Sequence, residues 1–254
     1  MMGDSLTRQL YEGLLQLLRE DLATGVLRDD LPPEHRAFCT CNEFSRNCRV
    51  FTEAWPPTLK WVDGAPLVSR PVAPCPSAPH FTMQFFHIYV DWNLEPASAD
   101  NMALMRGAAC ARPNSIVFNG GAPPHEEREA WADTRFKMNS EHAIRHLIQP
   151  MRNFTVHCGV PPPNLIWAPM HWSNISMIPE KWRERQRPAD ILRYNVATVT
   201  AARAAGLAIF DTYNLTTGVP TLDGVHLPPP ITQIKVHALL SRLDAQSAQS
   251  GAGA

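Results

Sequence analysis

Gly3-Asp4-Ser5-Leu6-Thr7-Arg8-Gln9-Leu10-Tyr11-Glu12-Gly13-Leu14-Leu15-Gln16-Leu17-Leu18 sets a serine at the head of an amphipathic run that continues to Leu22. Leu6, Leu10, Leu14, Leu17, Leu18 and Leu22 recur with the helical period, so the spacing predicts a helix with one face on a sheet. A serine at the start of such a helix lies beside backbone N–H groups without intrahelical partners, at the positive end of the helix dipole. Both lower the energy of an adjacent oxyanion. Helix capping is the plainer reading of Gly3-Asp4-Ser5, and four residues match easily by chance. A distant base would decide between the two.

A serine hydroxyl is a weak nucleophile and needs a base, which a third group must orient. Asp223-Gly224-Val225-His226 supplies both, three residues apart on one side of a turn. Asp211, after the apolar run 207–210, is a rival carboxylate. Asp-Gly is often a plain turn, and a surface histidine is usually only solvated; the pairing with Ser5 favours the chemical reading. Ser115-Ile116-Val117-Phe118 reads as a short buried strand, and Asn119 after it is placed to donate a side-chain N–H to an oxyanion. Asn119-Gly120 also has the composition of a turn. Taken in order, Ser5, Asn119, Asp223 and His226 outline an acyl-transfer site.

These blocks resemble the GDSL/SGNH hydrolase superfamily. Within it they are most similar to the PC-esterase branch, which contains the trichome-birefringence-like and Cas1-type polysaccharide O-acetyltransferases. The likeness is carried by Gly3-Asp4-Ser5-Leu6 and its helix, by Asn119, and by the segment 194–243, in which Asp223-Gly224-Val225-His226 precedes a helix. It implies Ser5, Asp223 and His226 as catalytic residues, with an oxyanion hole made by the Ser5 amide and Asn119. It implies no bound cofactor, the acyl group coming from a donor such as acetyl-CoA. The fold implied is a three-layer α/β/α sandwich with a central parallel sheet, SGNH-hydrolase-like and flavodoxin-like. Family members place a buried strand before the serine block. Only Met1 and Met2 precede Gly3 here, so that first strand is expected to be missing, together with the Golgi membrane anchor common in the family. The function implied is serine-dependent acetyl transfer to or from carbohydrate hydroxyls, as a polysaccharide or glycan O-acetyltransferase. A carbohydrate or lipid esterase of the GDSL type is the alternative, and an inactive glycan- or protein-binding relative is a further one.

The bulk of the chain fits such a domain. Its 254 residues, 44% hydrophobic and with a net charge of −1, suit one α/β domain over 1–243, followed by a small, polar tail over 244–254 that is expected to be disordered. The charge gives no electrostatic case for nucleic acid or an anionic membrane. No apolar run reaches the roughly 18 to 20 residues that span a bilayer, and no charged-then-apolar leader opens the chain. The six cysteines, Cys39, Cys41, Cys48, Cys75, Cys110 and Cys158, leave disulfides, a metal site and free core thiols open. Paired Cys-x-x-Cys spacing is absent, so a metal would need an irregular set such as His35 with Cys39, Cys41 and Cys48. Disulfides rank first, no metal is assigned, and the resemblance points the same way. With sequons at Asn153, Asn174 and Asn214, the cysteines favour the secretory pathway, in the Golgi lumen or outside the cell.

Between the motifs, 24 prolines punctuate the chain at Pro32-Pro33, Pro56-Pro57, 161–163 and 228–230, and imply long ordered loops. Strands are expected at 81–92, 115–118, 155–157, 165–167 and 207–210, and helices at 98–111, within 126–152, at 188–205 and at 232–243. That alternation predicts a parallel sheet with helices on both faces. His171 and Trp172, in the loop after a strand end, are candidates to contact sugar, the indole by stacking; packing beneath the loop is the plainer role for Trp172.

Overall fold

The strand Ser115–Phe118 (β4) points its side chains alternately into two apolar clusters, Ile116 and Phe118 into one and Val117 into the other. That is the period of a strand covered on both faces. A computed structural model describes residues 1–3, 5–34, 67–68, 72, 82–84, 86–87, 99–119, 134–183 and 186–251. His35, Cys39, Cys41, Cys48 and Cys75 lie outside these residues, as does most of 81–92.

The other strands are Met2–Gly3 (β1), Leu67–Val68 (β2), Phe86–His87 (β3), Asn164–Trp167 (β5) and Ala208–Ile209 (β6). They join β4 in one sheet of order β2-β3-β1-β4-β5-β6. β2 runs antiparallel to β3, and every other neighbouring pair is parallel. The chain steps from β1 to β3 on one side and then crosses to β4 on the other. In open α/β sheets the crevice at such a reversal, beyond the carboxyl ends of the strands, is where ligands bind. Ser5 follows β1, and Asn119 follows β4.

The strand expected to be missing is present in brief. Met2, fully buried, pairs with Phe86 on one side and Phe118 on the other, and its carbonyl accepts from the Asn119 N–H at 3.1 Å. Two residues suffice because both neighbours supply ladder partners.

Seven helices are described: Ser5–Leu18 (α1), Ala99–Cys110 (α2), Thr134–His157 (α3), Glu180–Arg183 (α4), Pro188–Ala204 (α5), Tyr213–Thr216 (α6) and Pro229–Gly251 (α7). Met105 of α2, Ile144 and Ile148 of α3 and Tyr194 of α5 cover one sheet face with Ile116, Phe118 and Trp167. Leu10, Tyr11, Leu14 and Leu15 of α1, with Val236 and Leu239 of α7, cover the other over Val117 and Ile166. The architecture is thus an α/β/α sandwich on a mainly parallel sheet. Gly13 lets α1 and α7 approach closely, since a Cβ there would stand 2.7 Å from Thr232 Cγ2. Cys110 and Cys158 form a disulfide, with 5.6 Å between their Cα atoms, that joins the ends of α2 and α3.

Three elements depart from the sequence reading. α1 stops at Leu18 and the chain turns through Glu20, whose φ is +55°, so Leu22 is 60% exposed instead of core-facing. Thr155-Val156-His157 is the last turn of α3, not a strand; Gly159, at φ +61°, ends the helix in the left-handed conformation that favours glycine. The expected tail from Asp244 continues α7 to Gly251, in keeping with the helix propensity of Ala245, Gln246, Ala248 and Gln249. Among the described residues, no helix is long and apolar enough to cross a membrane.

Candidate active site

Ser5 is the first residue of α1, so its hydroxyl stands at the helix N-terminus, beyond the carboxyl end of β1. The loop between α6 and α7 brings His226 to it. Nε2 of His226 lies 3.0 Å from Ser5 Oγ, and Nδ1 lies 2.8 Å from Oδ2 of Asp223. A carboxylate accepts hydrogen bonds, so the ring proton sits on Nδ1, and Nε2 offers its lone pair to the serine O–H. Thus the structure brings together Ser5, Asp223 and His226. Asp211, the rival carboxylate, instead accepts the N–H of Tyr213 at 2.9 Å.

Asp223 does two jobs with two oxygens. Oδ1 accepts the backbone N–H of Val225 at 3.0 Å and of His226 at 2.9 Å, which shapes the turn, while Oδ2 holds the imidazole. Burial alone would raise its pKa. The hydrogen bonds from the His226 ring and from the backbone N–H groups of His226 and Val225 outweigh burial and hold the carboxyl well below the usual carboxylate range. Gly224 between them has φ +100°, and a Cβ there would stand 2.4 Å from Ile178 Cγ1 and 2.7 Å from the Ile178 nitrogen. Only glycine meets both demands.

The loop is braced from α1 itself. Gln9, one turn beyond Ser5, donates through Nε2 to the Leu227 carbonyl, and its Oε1 accepts the Leu227 N–H at 3.2 Å. This amide pairs with a peptide as another strand would, and it ties Leu227, next to His226, to the helix that begins at Ser5. Asn195 of α5 does the same for Met170, accepting its N–H at 3.0 Å and donating to its carbonyl at 2.6 Å. The sequence reading missed Gln9. The available signal was a glutamine four residues after the serine, hence on the same side of the helix.

Asn119 is buried at the end of β4, and its Nδ2 donates to the Ala168 carbonyl at 2.7 Å. The amide is thereby fixed against the chain leaving β5. His171 departs from expectation. It is 1% exposed, its Nε2 lies 2.5 Å from the Val225 carbonyl oxygen and its Nδ1 lies 3.0 Å from Lys235 Nζ, so it faces inward and contacts no external sugar. Burial, and next the Lys235 ammonium, push its pKa well below the ordinary histidine value, which keeps the ring neutral. Trp172 is half-buried, and its backbone N–H donates to Thr216 Oγ1 at 3.1 Å. Among the described residues, no group of three or more His, Cys, Asp or Glu is arranged to hold a metal ion.

No protein-family model and no curated protein matches the chain. Among solved structures it is similar to the native aryl esterase of M. smegmatis, with a TM-score of 0.44 and 12% identity over 63% of this chain and 79% of that one. It is also similar to a carbohydrate acetylesterase from Sinorhizobium meliloti, with a TM-score of 0.41 and 12% identity over 64% of this chain and 79% of that one.

Proposed function

We propose that the chain is a serine-dependent acyl-transfer enzyme, with Ser5 as nucleophile, His226 as base and Asp223 as the group that orients it. The observation that carries this reading is the continuous line of contacts from Ser5 Oγ through both ring nitrogens of His226 to Asp223 Oδ2, at 3.0 and 2.8 Å. Ser5 Oγ attacks the acyl carbonyl carbon as its proton passes to His226 Nε2. The carbonyl oxygen becomes an oxyanion, for which the Ser5 backbone N–H at the helix terminus and the Asn119 amide are the proposed donors. His226 then gives the proton to the leaving group as the tetrahedral intermediate collapses to acyl-Ser5. An acceptor hydroxyl, deprotonated by His226, releases the ester and restores the serine.

The acceptor proposed is a carbohydrate hydroxyl, with acetyl as the acyl group; this rests on the likeness of the serine and Asp-x-x-His blocks to polysaccharide O-acetyltransferases. Trp172 is the proposed sugar-stacking surface, in the loop after β5. The Cys110–Cys158 disulfide supports a secretory compartment. Hydrolysis is the second reading: the Asp223 side chain is 44% exposed, which leaves the loop open to water as the acceptor. A binding protein without activity has no need of a serine, an imidazole and a carboxylate held in hydrogen-bonded line.

Intact-mass analysis after treatment with a fluorophosphonate tests the reading. Wild type should gain one adduct, and Ser5→Ala and His226→Ala should lower the labelling rate by roughly 10³-fold or more without unfolding. A folded wild-type protein that stays unlabelled would sink it. Product analysis with an acetyl donor, with and without an oligosaccharide acceptor, separates transfer from hydrolysis.

A further inference from the structure

Lys235 is buried on α7, only 7% exposed, although an ammonium is costly to remove from water. Its Nζ lies 3.0 Å from His171 Nδ1. An ammonium only donates, so Nδ1 carries the lone pair and the ring proton sits on Nε2, which donates to the Val225 carbonyl oxygen. That carbonyl belongs to the peptide whose N–H, on His226, donates to Asp223 Oδ1 at 2.9 Å. Asp223 Oδ2 then holds His226, which faces Ser5. A hydrogen bond to a carbonyl oxygen strengthens the N–H donor of the same peptide. Lys235, His171, the Val225–His226 peptide, Asp223, His226 and Ser5 therefore form one chain of bonds that polarise one another.

We propose that Lys235 and His171 are positioning residues for the Ser5 site, fixing the place and polarity of the Val225–His226 peptide and so the aim of the imidazole. The proposal rests on the acyl-transfer reading above. Neither side chain touches the reacting atoms. Without the ammonium, the His171 proton can move to Nδ1. Nε2 would then turn a lone pair towards the Val225 carbonyl, two acceptors would face each other, and the loop would shift.

Two measurements test this. In wild type, long-range ¹H–¹⁵N spectra of histidine-labelled protein, assigned with His171→Gln, should show His171 protonated on Nε2 alone; protonation on Nδ1 would overturn the proposal whether or not Ser5 reacts. In Lys235→Met, the His171 and His226 ring signals should move. The kcat for p-nitrophenyl acetate should fall about 10- to 100-fold with KM within about twofold, as expected when a reacting group is displaced while substrate binding stays intact. Lys235→Gln, which keeps a neutral donor, should recover much of the loss. Unchanged ring signals and an unchanged kcat in Lys235→Met, or a loss seen only as a lower melting midpoint, would overturn it. A wild type that no fluorophosphonate labels would instead sink the acyl-transfer reading, and the histidine spectrum would still judge the hydrogen-bonded chain.

Discussion

The layer of α2, α3 and α5 and the layer of α1 and α7 cover two faces of one sheet, but they are built differently. The first is the more apolar: among the described residues it buries no Arg, Lys, Asp or Glu, its buried polar side chains being Thr155, Asn195 and Thr198, and it carries the Cys110–Cys158 disulfide, on the side where Ile144, Met151 and Ile191 are buried. In the second, α1 and α7 hold Arg8, Glu12 and Lys235, which are the buried Arg, Lys, Asp and Glu side chains among the described residues. Arg8 Nη1 meets both Glu12 oxygens at 3.1 Å, Gln9 clamps Leu227, and Lys235 meets His171. A buried ion pair adds little stability over an apolar one, whereas removing one partner is costly. The comparison teaches a division of labour: the more apolar layer mainly holds the sheet, with Asn195 fixing Met170 from it, while the charged layer aims Gln9 at Leu227 and Lys235 at His171.

Substitutions should separate the two. Ile144→Ala in the apolar layer should lower stability by about 2–5 kcal/mol in urea titrations, with kcat per folded molecule unchanged. Cys110→Ser should cost about 2–4 kcal/mol, again at constant kcat below the lowered melting midpoint. Gln9→Leu, in the polar layer, leaves the Leu227 N–H and carbonyl without that amide. It should cost about 1–3 kcal/mol and, unlike the first two, lower kcat about tenfold, as assayed with p-nitrophenyl acetate. A loss of kcat in Ile144→Ala as large as that in Gln9→Leu would break the division.

The smallest effect expected is on acid stability. Asp223 is held below the ordinary carboxylate value of about 3.9 in the folded state, so its ionised form contributes stability above about pH 4, and that contribution is lost as pH falls through the folded-state pKa. Wild type should thus exceed Asp223→Asn in urea midpoint at pH 7, and the gap should narrow below about pH 4. A gap independent of pH would assign the role of Asp223 to the shape of the turn alone.

Much of the fold was legible because local signals agreed with tertiary demands. The runs at 115–118 and 165–167 became β4 and β5, and the alanine-rich segment after Pro188 became α5. The residues facing one another in the site were legible too, as a serine before a helix and an acid three residues before a histidine. Illegible were the polar residues that packing buries. Gln9 and Lys235 sit at helical positions whose spacing alone suits solvent as well as core, and their partners come from distant loops, Leu227 for Gln9 and His171 for Lys235. His171 misled for the same reason: a histidine after a strand end suggests a ligand contact, but here the loop turns its ring inward to Lys235 and Val225. Thr155-Val156-His157 misled because β-branched residues suggest a strand, while the preceding turns of α3 carry them into a helix.

One consequence concerns synthesis. Ser5 and His226 touch across 221 residues of chain. At about 5 to 20 residues per second, the ribosome makes the serine roughly 10 to 45 s before its base. In that interval Ser5 has no proton acceptor from the Asp223–His226 loop, and α7, which packs on α1, has not yet emerged. On the acyl-transfer reading, a nascent chain that has not reached His226 lacks the base, and reactivity at Ser5 would report that the segment carrying it has been made and folded back.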